Sequence, residues 1–167
     1  TWAEVDNLQS HYSSWPLEDA KDWRKTKNLI VKLLEDCGLL ENGDRVPPIP
    51  RGDPSDFVLH LVSKIESNGF GLWSPKTEQC MGRALFPNAS YFNHSCDPNT
   101  SATQAADEIT FRTKRPVKQN EPLTISYIDA NIPLHARRSR LQQEYYFHCM
   151  CSRCVAEEAR VPSAAKV

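Results

Sequence analysis

The chain has 167 residues and a mass of 19.0 kDa, enough for one domain with its own core or for part of a larger one. Its 20 basic and 21 acidic residues give a net charge of -1, which argues against direct nucleic-acid binding. No apolar run approaches the ~20 residues that span a bilayer, and the first residues do not open a secretory signal. We therefore expect a soluble intracellular protein, nuclear or cytoplasmic, without a membrane partner. The chain starts without a methionine, so we also expect a fragment of a longer protein.

The region from Ser14 to Cys37 has the periodicity of a helix. Its apolar residues recur at helical spacing, Ser14 can cap the first turn, and Gly38 can end the last one. This one-sided apolar stripe favours packing in a core over a ligand cage. The stretch from Arg45 to Pro54 contains four prolines and predicts a loop.

Shorter elements are predicted for the rest of the chain. A second helix begins at Ser55 and ends before Asn68. Glycines follow at positions 69 and 71. Residues 105–108 suit the turn of a hairpin, and Pro133 can occupy the first turn of a third helix. The predicted strands are residues 72–73, 100–104, 109–113 and 123–128.

Three of the six cysteines are crowded into the motif Cys149-x-Cys151-x-x-Cys154. Zinc prefers four thiolate or imidazole ligands, and this spacing suits wrapping around one ion better than forming an internal disulfide. In a reducing cell the crowding favours metal over ordinary reduced thiols. The fourth ligand must come from elsewhere, and Cys96 is the best candidate. The competing candidates are Cys37, Cys80, His94 and His148.

The most polar short stretch runs from Asn93 to Asn99, with the sequence Asn-His-Ser-Cys-Asp-Pro-Asn. Its last three residues predict a turn, because proline fixes φ while Asp and Asn bond their own backbone. The four residues before the turn place amide, imidazole, hydroxyl and thiol groups side by side. Loops with such groups are common binding sites. A metal shared by Cys96 and the C-terminal cysteines would bring the aromatic residues 145–147 near this stretch.

This stretch matches the NHSCxPN signature of SET-domain protein methyltransferases, and other motifs agree with it in order. Residues 120–127, with the sequence NEPLTISY, resemble the GEEL-x-x-x-Y segment, and residues 147–154 resemble the post-SET zinc motif. Residues 68–71, NGFG, look more loosely like the NSF-type segment. The chain therefore resembles a SET-domain protein-lysine methyltransferase of the SMYD branch, in which a MYND zinc finger is inserted into a split SET domain.

The resemblance implies an α+β fold. We expect a SET-domain β-fold of short strands with the NHSC segment threaded through a loop as a pseudoknot, a helical insert at the N-terminus and a zinc-binding post-SET segment. The implied division is a helical insert and linker over residues 1–54, the C-terminal part of the SET domain over 55–147, the zinc segment over 148–155 and a flexible tail over 156–167.

The resemblance also implies the residues of the site. Tyr127 would be the tyrosine of the catalytic channel, and Tyr145 would form a wall of the lysine channel. Phe147 would stack on the adenine of S-adenosyl-L-methionine. The implied cofactor-binding residues are Asn68, Asn93, His94, Tyr127 and Phe147. The implied ligands of one structural zinc are Cys96, Cys149, Cys151 and Cys154.

Elementary chemistry is compatible with methyl transfer at such a site. Aromatic faces and carbonyl oxygens favour a positively charged methyl sulfonium donor. The acceptor amine must be neutral, and a narrow apolar channel lowers the pKa of a lysine by desolvation. Holding the amine and the methyl group in line supplies most of the remaining rate acceleration. Considered alone, however, Tyr127 is more often an ordinary strand tyrosine and His94 a structural histidine.

The chain departs from the family pattern at several positions. Asn120 and Pro122 replace the usual Gly and second acidic residue, and Gly69 stands where a small Ser is common. We identify neither a GxG cofactor segment at the N-terminus nor a MYND cysteine array, so the resemblance covers about residues 55–154. We therefore weigh two functions. One is S-adenosylmethionine-dependent methyl transfer to a lysine of a protein or histone tail, and the other is a zinc-stabilised, catalytically incomplete interaction module.

Overall fold

A computed structural model describes residues 1–38, 54–74, 76–77, 79–105 and 108–160. The fold is mixed α+β with short strands and N-terminal helices, as the sequence predicts. The chain divides into two compact units, Thr1–Asn88 and Ala89–Val167. Within the described residues, no helix is both long enough and apolar enough to cross a bilayer.

The described residues of the first unit form three α-helices and one hairpin. The helices are α1 (Trp2–Asp6), α2 (Leu17–Asp36) and α3 (Pro54–Asn68), and the antiparallel strands are β1 (Gly69–Trp73) and β2 (Cys80–Leu85). Buried apolar side chains on α2 and α3, including Ala20, Val58 and Leu59, contribute to its core. Helix α3 confirms the second predicted helix, and the strand predicted at residues 72–73 is the end of the longer strand β1. The predicted loop from residue 45 lies outside the described residues, except for Pro54.

The predicted cap of α2 is wrong, while the predicted end is confirmed. Ser14 belongs to a 3-10 turn, and extended backbone at Pro16 makes that proline the residue before the helix. The helix therefore begins at Leu17. At the other end, Gly38 has a φ of 64°, a left-handed conformation in which glycine is favoured, and its N–H donates to the Glu35 carbonyl at 2.8 Å.

Gly69 is explained by its close contact with the preceding helix. A Cβ atom at this position would lie 2.5 Å from the carbonyl oxygen of Ile65, inside van der Waals contact. Because β1 starts directly after α3, the chain needs a residue without a side chain there. Glycine in place of the family's serine therefore fits the local backbone.

Within its described residues, the second unit contains one pair of strands that are distant in the sequence and one pair that are adjacent. Strands β3 (Asn93–His94) and β6 (Thr124–Ile125) are parallel, whereas β4 (Thr100–Ala105) and β5 (Glu108–Thr113) form an antiparallel hairpin. The hairpin confirms the prediction. The strand predicted over residues 123–128 has only two residues, because the chain bends after Ile125 and the Ser126 hydroxyl donates to the Ile128 carbonyl at 2.8 Å.

Two helices complete the second unit, α4 (Leu134–Tyr145) and α5 (Ser152–Ala159). Pro133 precedes the first residue of α4, which confirms the third predicted helix within one residue. Helix α5 overlaps the start of the tail predicted from residue 156, and residues 161–167 lie outside the described part of the chain. The core combines apolar and thiol side chains, namely Cys96, Ile128, Leu141, Cys149 and Cys154.

Candidate active site and metal centre

The pairing of β3 with β6 joins two of the motifs found in the sequence. Asn93 lies opposite Thr124 and His94 opposite Ile125, and the N–H of Ser95 donates to the Ile125 carbonyl at 2.9 Å. The chain therefore brings the NHSC stretch beside the segment that leads to Tyr127. Neither strand is long enough to be stable alone, so side-chain contacts must hold this register.

Asn99, the last residue of the NHSC stretch, provides such contacts. Its side chain is buried, and its amide nitrogen donates to the Pro122 carbonyl at 2.9 Å and to Glu121 at 3.2 Å. Its amide oxygen accepts the N–H of Thr124 at 2.9 Å. The sequence predicted only that Asn99 belongs to a turn. It did not show these contacts, because the distant backbone groups that a polar side chain will bond cannot be read from the sequence.

Glu121 extends this network to the surface. The hydrogen bonds of its carboxylate with the Arg115 guanidinium, together with those from the Lys118 N–H and the Asn99 amide, lower the pKa of Glu121 to about 2. A carboxylate stabilised in this way stays ionised at any pH near neutrality. The turn before β6 is therefore held in place by a permanent negative charge.

The four predicted metal ligands come together in the second unit. The sulfur atoms of Cys96, Cys149, Cys151 and Cys154 all lie within 4.8 Å of one another. The Sγ of Cys96 is 3.5 Å from that of Cys154 and 3.9 Å from that of Cys149. Four sulfurs around one zinc ion, each at a Zn–S distance of ~2.3 Å, are separated by about 3.8 Å, so this cluster fits one tetrahedral ion.

This grouping favours Cys96 among the candidates for the fourth ligand. Cys37 and Cys80 belong to the first unit and are exposed, and His148 is exposed as well. The His94 ring lies beside the Cys96 sulfur and does not take the place of that sulfur in the cluster. Four clustered cysteines could bind one metal ion, and thiolate ligands suit zinc.

Burial makes two of these thiols poor acids. It raises the pKa of Cys149 to about 11 and the pKa of Cys96 well above its usual range. Burial raises the pKa of Cys151 too, but hydrogen bonds from the backbone N–H groups of Cys154 and Cys96 outweigh it and lower that pKa to about 6. Thiolates at a metal must be deprotonated, so a metal has to displace protons held by the buried sulfurs.

Three arginines surround the cysteine cluster. The guanidinium of Arg137 is 1% exposed, lies 3.8 Å from the Cys154 sulfur and forms an ion pair with Glu157. Arg153 donates to the Cys96 carbonyl at 3.0 Å. Arg138 likewise donates to the Cys149 carbonyl, at 3.2 Å. Positive charge near several thiolates stabilises the charged form of the cluster.

Sequence reasoning missed Arg137. Burial acts to lower its pKa, but its hydrogen bonds with Glu157 and Cys154 raise that pKa overall, so the side chain stays charged. Its Nη1 group also donates to the Ile132 carbonyl at 2.7 Å, whereas its buried Nε has no partner among the described residues. The available signal was its spacing of four residues from Leu141, which places both on the buried face of α4.

An aromatic cluster lies beside the metal centre. The ring of Tyr127 is 5.0 Å from that of Tyr145, 5.2 Å from that of His94 and 6.4 Å from that of Phe147, measured between ring centroids. The Tyr127 hydroxyl donates to the Phe92 carbonyl at 2.6 Å. Burial, followed by the nearby Tyr145 phenol, raises the pKa of Tyr127, so its hydroxyl is neutral and can act as a donor.

His94 links the two halves of the site. Its Nδ1 accepts the backbone N–H of Tyr127 at 3.0 Å, and its Nε2 lies 3.2 Å from the Cys96 sulfur. Burial, assisted by the positive charge of Arg137, lowers the pKa of His94 to about 4, so the imidazole is neutral near pH 7. Sequence reasoning considered this residue for its backbone or as a metal ligand and missed both side-chain contacts.

Asn68 lies in the first unit, at the end of α3. Its amide nitrogen donates to the carbonyls of Gln9 and Lys64, both at 2.9 Å. These contacts join the loop after α1 to the end of α3. Contact of Asn68 with a cofactor stays a prediction.

Comparison with known proteins decides the family. The model of the SET domain family matches residues 7–128, which is most of the chain. The chain belongs to the SET-domain family. The match begins within the region predicted as a helical insert and ends before the C-terminal cysteines, which lie where the resemblance predicts a post-SET site. The division of the chain into insert, SET and zinc segments stays a prediction.

Several curated relatives are named SET and MYND domain-containing proteins. The chain is 36% identical over 126 residues, 75% of its length, to a SET and MYND domain-containing protein of Dictyostelium discoideum, and 41% identical over 161 residues, 95% of its length, to a second one. It is 28% identical over 163 residues, 90% of its length, to human histone-lysine N-methyltransferase SMYD1. It spans 32%, 29% and 31% of these three relatives, respectively.

Proposed function

We propose that this chain is the catalytic portion of an S-adenosylmethionine-dependent protein-lysine N-methyltransferase. The observation that carries the proposal is the cluster of four aromatic rings beside the NHSC stretch and the cysteine centre, those of His94, Tyr127, Tyr145 and Phe147. A half-buried neutral phenol, a rim of aromatic faces and an exposed amide at Asn93 suit methyl transfer from a sulfonium to an amine. The names of several relatives state this class of activity.

In this proposal the cofactor lies against Asn93 and the backbone of His94, with Phe147 stacked on its adenine. The family resemblance assigns Asn68 to the cofactor as well. Tyr127 and Tyr145 line the channel for the lysine side chain. S-adenosylmethionine, when bound, supplies an electrophilic methyl group on a positively charged sulfur.

The residues of the chain then contribute positioning and desolvation. The aromatic walls formed by Tyr127 and Tyr145 disfavour the charged form of an entering lysine, which lowers the pKa of its amine. The Tyr127 hydroxyl, already directed at the Phe92 carbonyl, helps to define where polar groups can lie at the end of the channel. Phe147 would exclude water from one side of the cofactor pocket.

The cysteine centre has a structural role in this proposal. Zinc held by Cys96, Cys149, Cys151 and Cys154 would tie the NHSC stretch to the segment that carries Phe147. The fit of the four sulfur atoms to a tetrahedral ion supports this assignment. The proposed substrate is a lysine of a protein, either in a histone tail or elsewhere. The nuclear or cytoplasmic location expected from the sequence is consistent with such a substrate.

Isothermal calorimetry of S-adenosylmethionine into the zinc-loaded chain tests the proposal, with zinc content confirmed by native mass spectrometry. We expect one zinc per chain and micromolar binding of the cofactor. A screen of histone and non-histone peptides for a mass gain of one methyl group then follows. Lack of binding by a folded chain with one zinc, both alone and within a full-length SET and MYND protein, would favour an interaction module instead.

A further inference from the structure

We propose that the His94 imidazole is a positioning residue that couples the sulfur of Cys96 to the backbone of Tyr127. The ring is the only single side chain among the described residues for which hydrogen bonds to both of these groups are observed. The coupling concerns the side chain of His94, whereas the family resemblance assigns only its backbone to the cofactor. It rests on the proposed function solely for the catalytic role of Tyr127.

The hydrogen bonds determine which nitrogen carries the proton. The backbone N–H of Tyr127 donates to Nδ1 at 3.0 Å, so Nδ1 presents its lone pair and cannot itself be protonated. A neutral imidazole then carries its proton on Nε2. That nitrogen lies 3.2 Å from the Cys96 sulfur, within the distance of an N–H···S hydrogen bond. His94 is therefore a donor to the metal-binding sulfur and an acceptor for Tyr127 at the same time.

The ring is held in this orientation by its neighbours. Strand β3 fixes its backbone opposite Ile125, and the rings of Tyr127 and Phe147 lie with their centroids 5.2 and 5.9 Å from that of His94. Arg153 holds the Cys96 carbonyl from another direction. Reorienting the imidazole would therefore disturb either the aromatic cluster or both hydrogen bonds.

A physical consequence follows for the site. A metal-bound thiolate accepts a stronger hydrogen bond than a thiol, because charge-assisted hydrogen bonds are roughly twice as strong as neutral ones. Occupation of the cysteine centre thus tightens the Nε2–H···S contact and favours the ring orientation that accepts the Tyr127 N–H. Metal binding would in this way help to position the tyrosine that lines the proposed lysine channel.

Two substitutions separate the ends of this link. The side-chain oxygen of asparagine takes the place of Nδ1, so His94→Asn keeps the acceptor for Tyr127 and removes the donor to Cys96. The side-chain nitrogen of glutamine takes the place of Nε2, so His94→Gln keeps the donor and removes the acceptor. His94→Ala removes both.

The cobalt-loaded chain provides a readout at each end. In His94→Asn the thiolate-to-cobalt absorption should move to longer wavelength, because a sulfur without its hydrogen bond is a better electron donor. In His94→Gln that absorption should match the unchanged chain, while hydrogen exchange at the Tyr127 amide becomes up to about tenfold faster, since the net contribution of the lost hydrogen bond is at most about 1.4 kcal/mol. An unshifted absorption in both Asn and Ala variants, or unchanged amide exchange in both Gln and Ala variants, would overturn the coupling.

A measurement on the unsubstituted chain covers the case in which variants fail to fold. With cadmium-113 at the cysteines, nitrogen-15 NMR should show Nε2 protonated and Nδ1 unprotonated, with a scalar coupling between the Nε2 proton and the metal. Protonated Nδ1, or no coupling to a protonated Nε2, contradicts the proposal. None of these readouts requires methyl transfer, so an inactive chain that shows the coupling would overturn the proposed function alone.

Discussion

The two units of the chain bury different kinds of side chain. In the first unit the buried residues are mostly apolar, such as Leu8, Val58 and Leu59, and Ser63 is the one polar residue in that class among those described. In the second unit the buried polar and charged residues are as prominent as the apolar ones, including Ser95, Asn99, Thr100 and Arg137, and three thiols belong to the core.

This difference separates two sources of stability. An apolar core is stabilised by removal of surface from water, which requires no partner of defined chemistry. A core of thiols, amides and a guanidinium is stable only if each group finds its charge or hydrogen-bond partner. We therefore expect the second unit to hold its reactive groups in place only while each of them has its partner, including a metal ion at the four cysteines. Four predictions test this contrast.

Removal of the metal should have the largest effect. Structural zinc contributes about 10–16 kcal/mol of binding free energy in small domains whose folding is coupled to the metal. We expect a chelator to unfold the segment that contains the cysteine motif, with loss of hydrogen-exchange protection in α5, while α2 and α3 keep theirs. Circular dichroism and thermal melting before and after chelation provide the overall measure.

Cysteine variants are the controls for that experiment. Cys154→Ser should abolish stoichiometric zinc binding, because it removes one of four ligands. Cys37→Ser and Cys80→Ser remove exposed thiols outside the cluster and should leave one zinc per chain. Unchanged circular dichroism and melting after verified metal removal would show that the second unit does not need the ion.

Replacement of Arg137 should have the next largest effect. Arg137→Met keeps most of the apolar volume but removes the charged donor to the Ile132 carbonyl and the cation beside the Cys154 sulfur. A hydrogen bond involving a charged group contributes about 1.5–3 kcal/mol, so we expect a loss of about 3 kcal/mol in the free energy of unfolding, together with weaker zinc binding. Urea unfolding of zinc-loaded protein measures the first, and competition with a zinc indicator measures the second.

Arg140→Met is the matched control for this change. Arg140 is on the same helix and forms an ion pair with Glu144, but both side chains are about half exposed. Exposed pairs on a helix contribute ~0.3–0.5 kcal/mol, so this variant should lose less than about 0.5 kcal/mol and bind zinc normally. Equal losses in the two arginine variants would show that the guanidinium of Arg137 has no special relation to the cysteines.

Tyr127→Phe should affect methyl transfer more than folding. Removal of one positioned donor from an active site typically lowers the rate about 10²-fold, which corresponds to about 2.7 kcal/mol of the barrier. The lost hydrogen bond to the Phe92 carbonyl should lower the free energy of unfolding by only about 1 kcal/mol. Methyl incorporation into a substrate peptide and urea unfolding check the two effects.

Tyr91→Phe controls for loss of a phenolic hydroxyl, since Tyr91 is 63% exposed. It should leave both the rate and the unfolding free energy almost unchanged. If Tyr127→Phe kept full activity in a chain that binds the cofactor, the role proposed for Tyr127 would be wrong.

Sequence motifs predicted the positions of reactive groups better than their connections. Cys96 was ranked above other candidate ligands, and its sulfur does lie with the three sulfurs of the motif, whose spacing and chemistry the sequence constrains. Its role as a metal ligand stays a prediction. The spacing of Arg137 from Leu141 indicated its face of α4, but its partners could not be read from the sequence, since they are a glutamate and a cysteine contributed by α5. The contacts of the His94 ring were missed for the same reason, because they depend on the parallel pairing of β3 with β6.

Local structure was predicted well where one interaction dominates. Gly38 ends α2 because few other residues adopt a positive φ so readily, and Pro133 is the residue directly before α4, where its missing N–H costs no helical hydrogen bond. Ser14 was wrongly assigned as a cap because the backbone is still extended at Pro16, the residue directly before the helix. The strand at Thr124–Ile125 is shorter than its β-branched sequence indicates, since the chain bends after Ile125, where the Ser126 hydroxyl donates to the Ile128 carbonyl.

The smallest effect is expected at Glu121, at the edge of the network around Asn99. The pKa of Glu121 is about 2 in the folded chain, chiefly because of Arg115, whereas that of an unfolded glutamate is ~4.3. The stabilisation is therefore fully present above about pH 4.5 and is lost as the pH falls toward 2. In Glu121→Gln we expect lower stability than in the unchanged chain at pH 7, and a difference between the two that shrinks between pH 4.5 and 2.

Comparing the two proteins at each pH cancels acid effects that they share, including protonation of the cysteines. Glu144→Gln removes one negative charge from a pair on the surface of α4 and serves as the matched control. Urea unfolding at intervals from pH 7 to pH 2 gives the difference curves. A difference for Glu121→Gln that stays constant through this range would show that Asn99 and the NHSC stretch are held without this carboxylate. The buried network of the second unit would then end at Asn99 instead of reaching Arg115 at the surface.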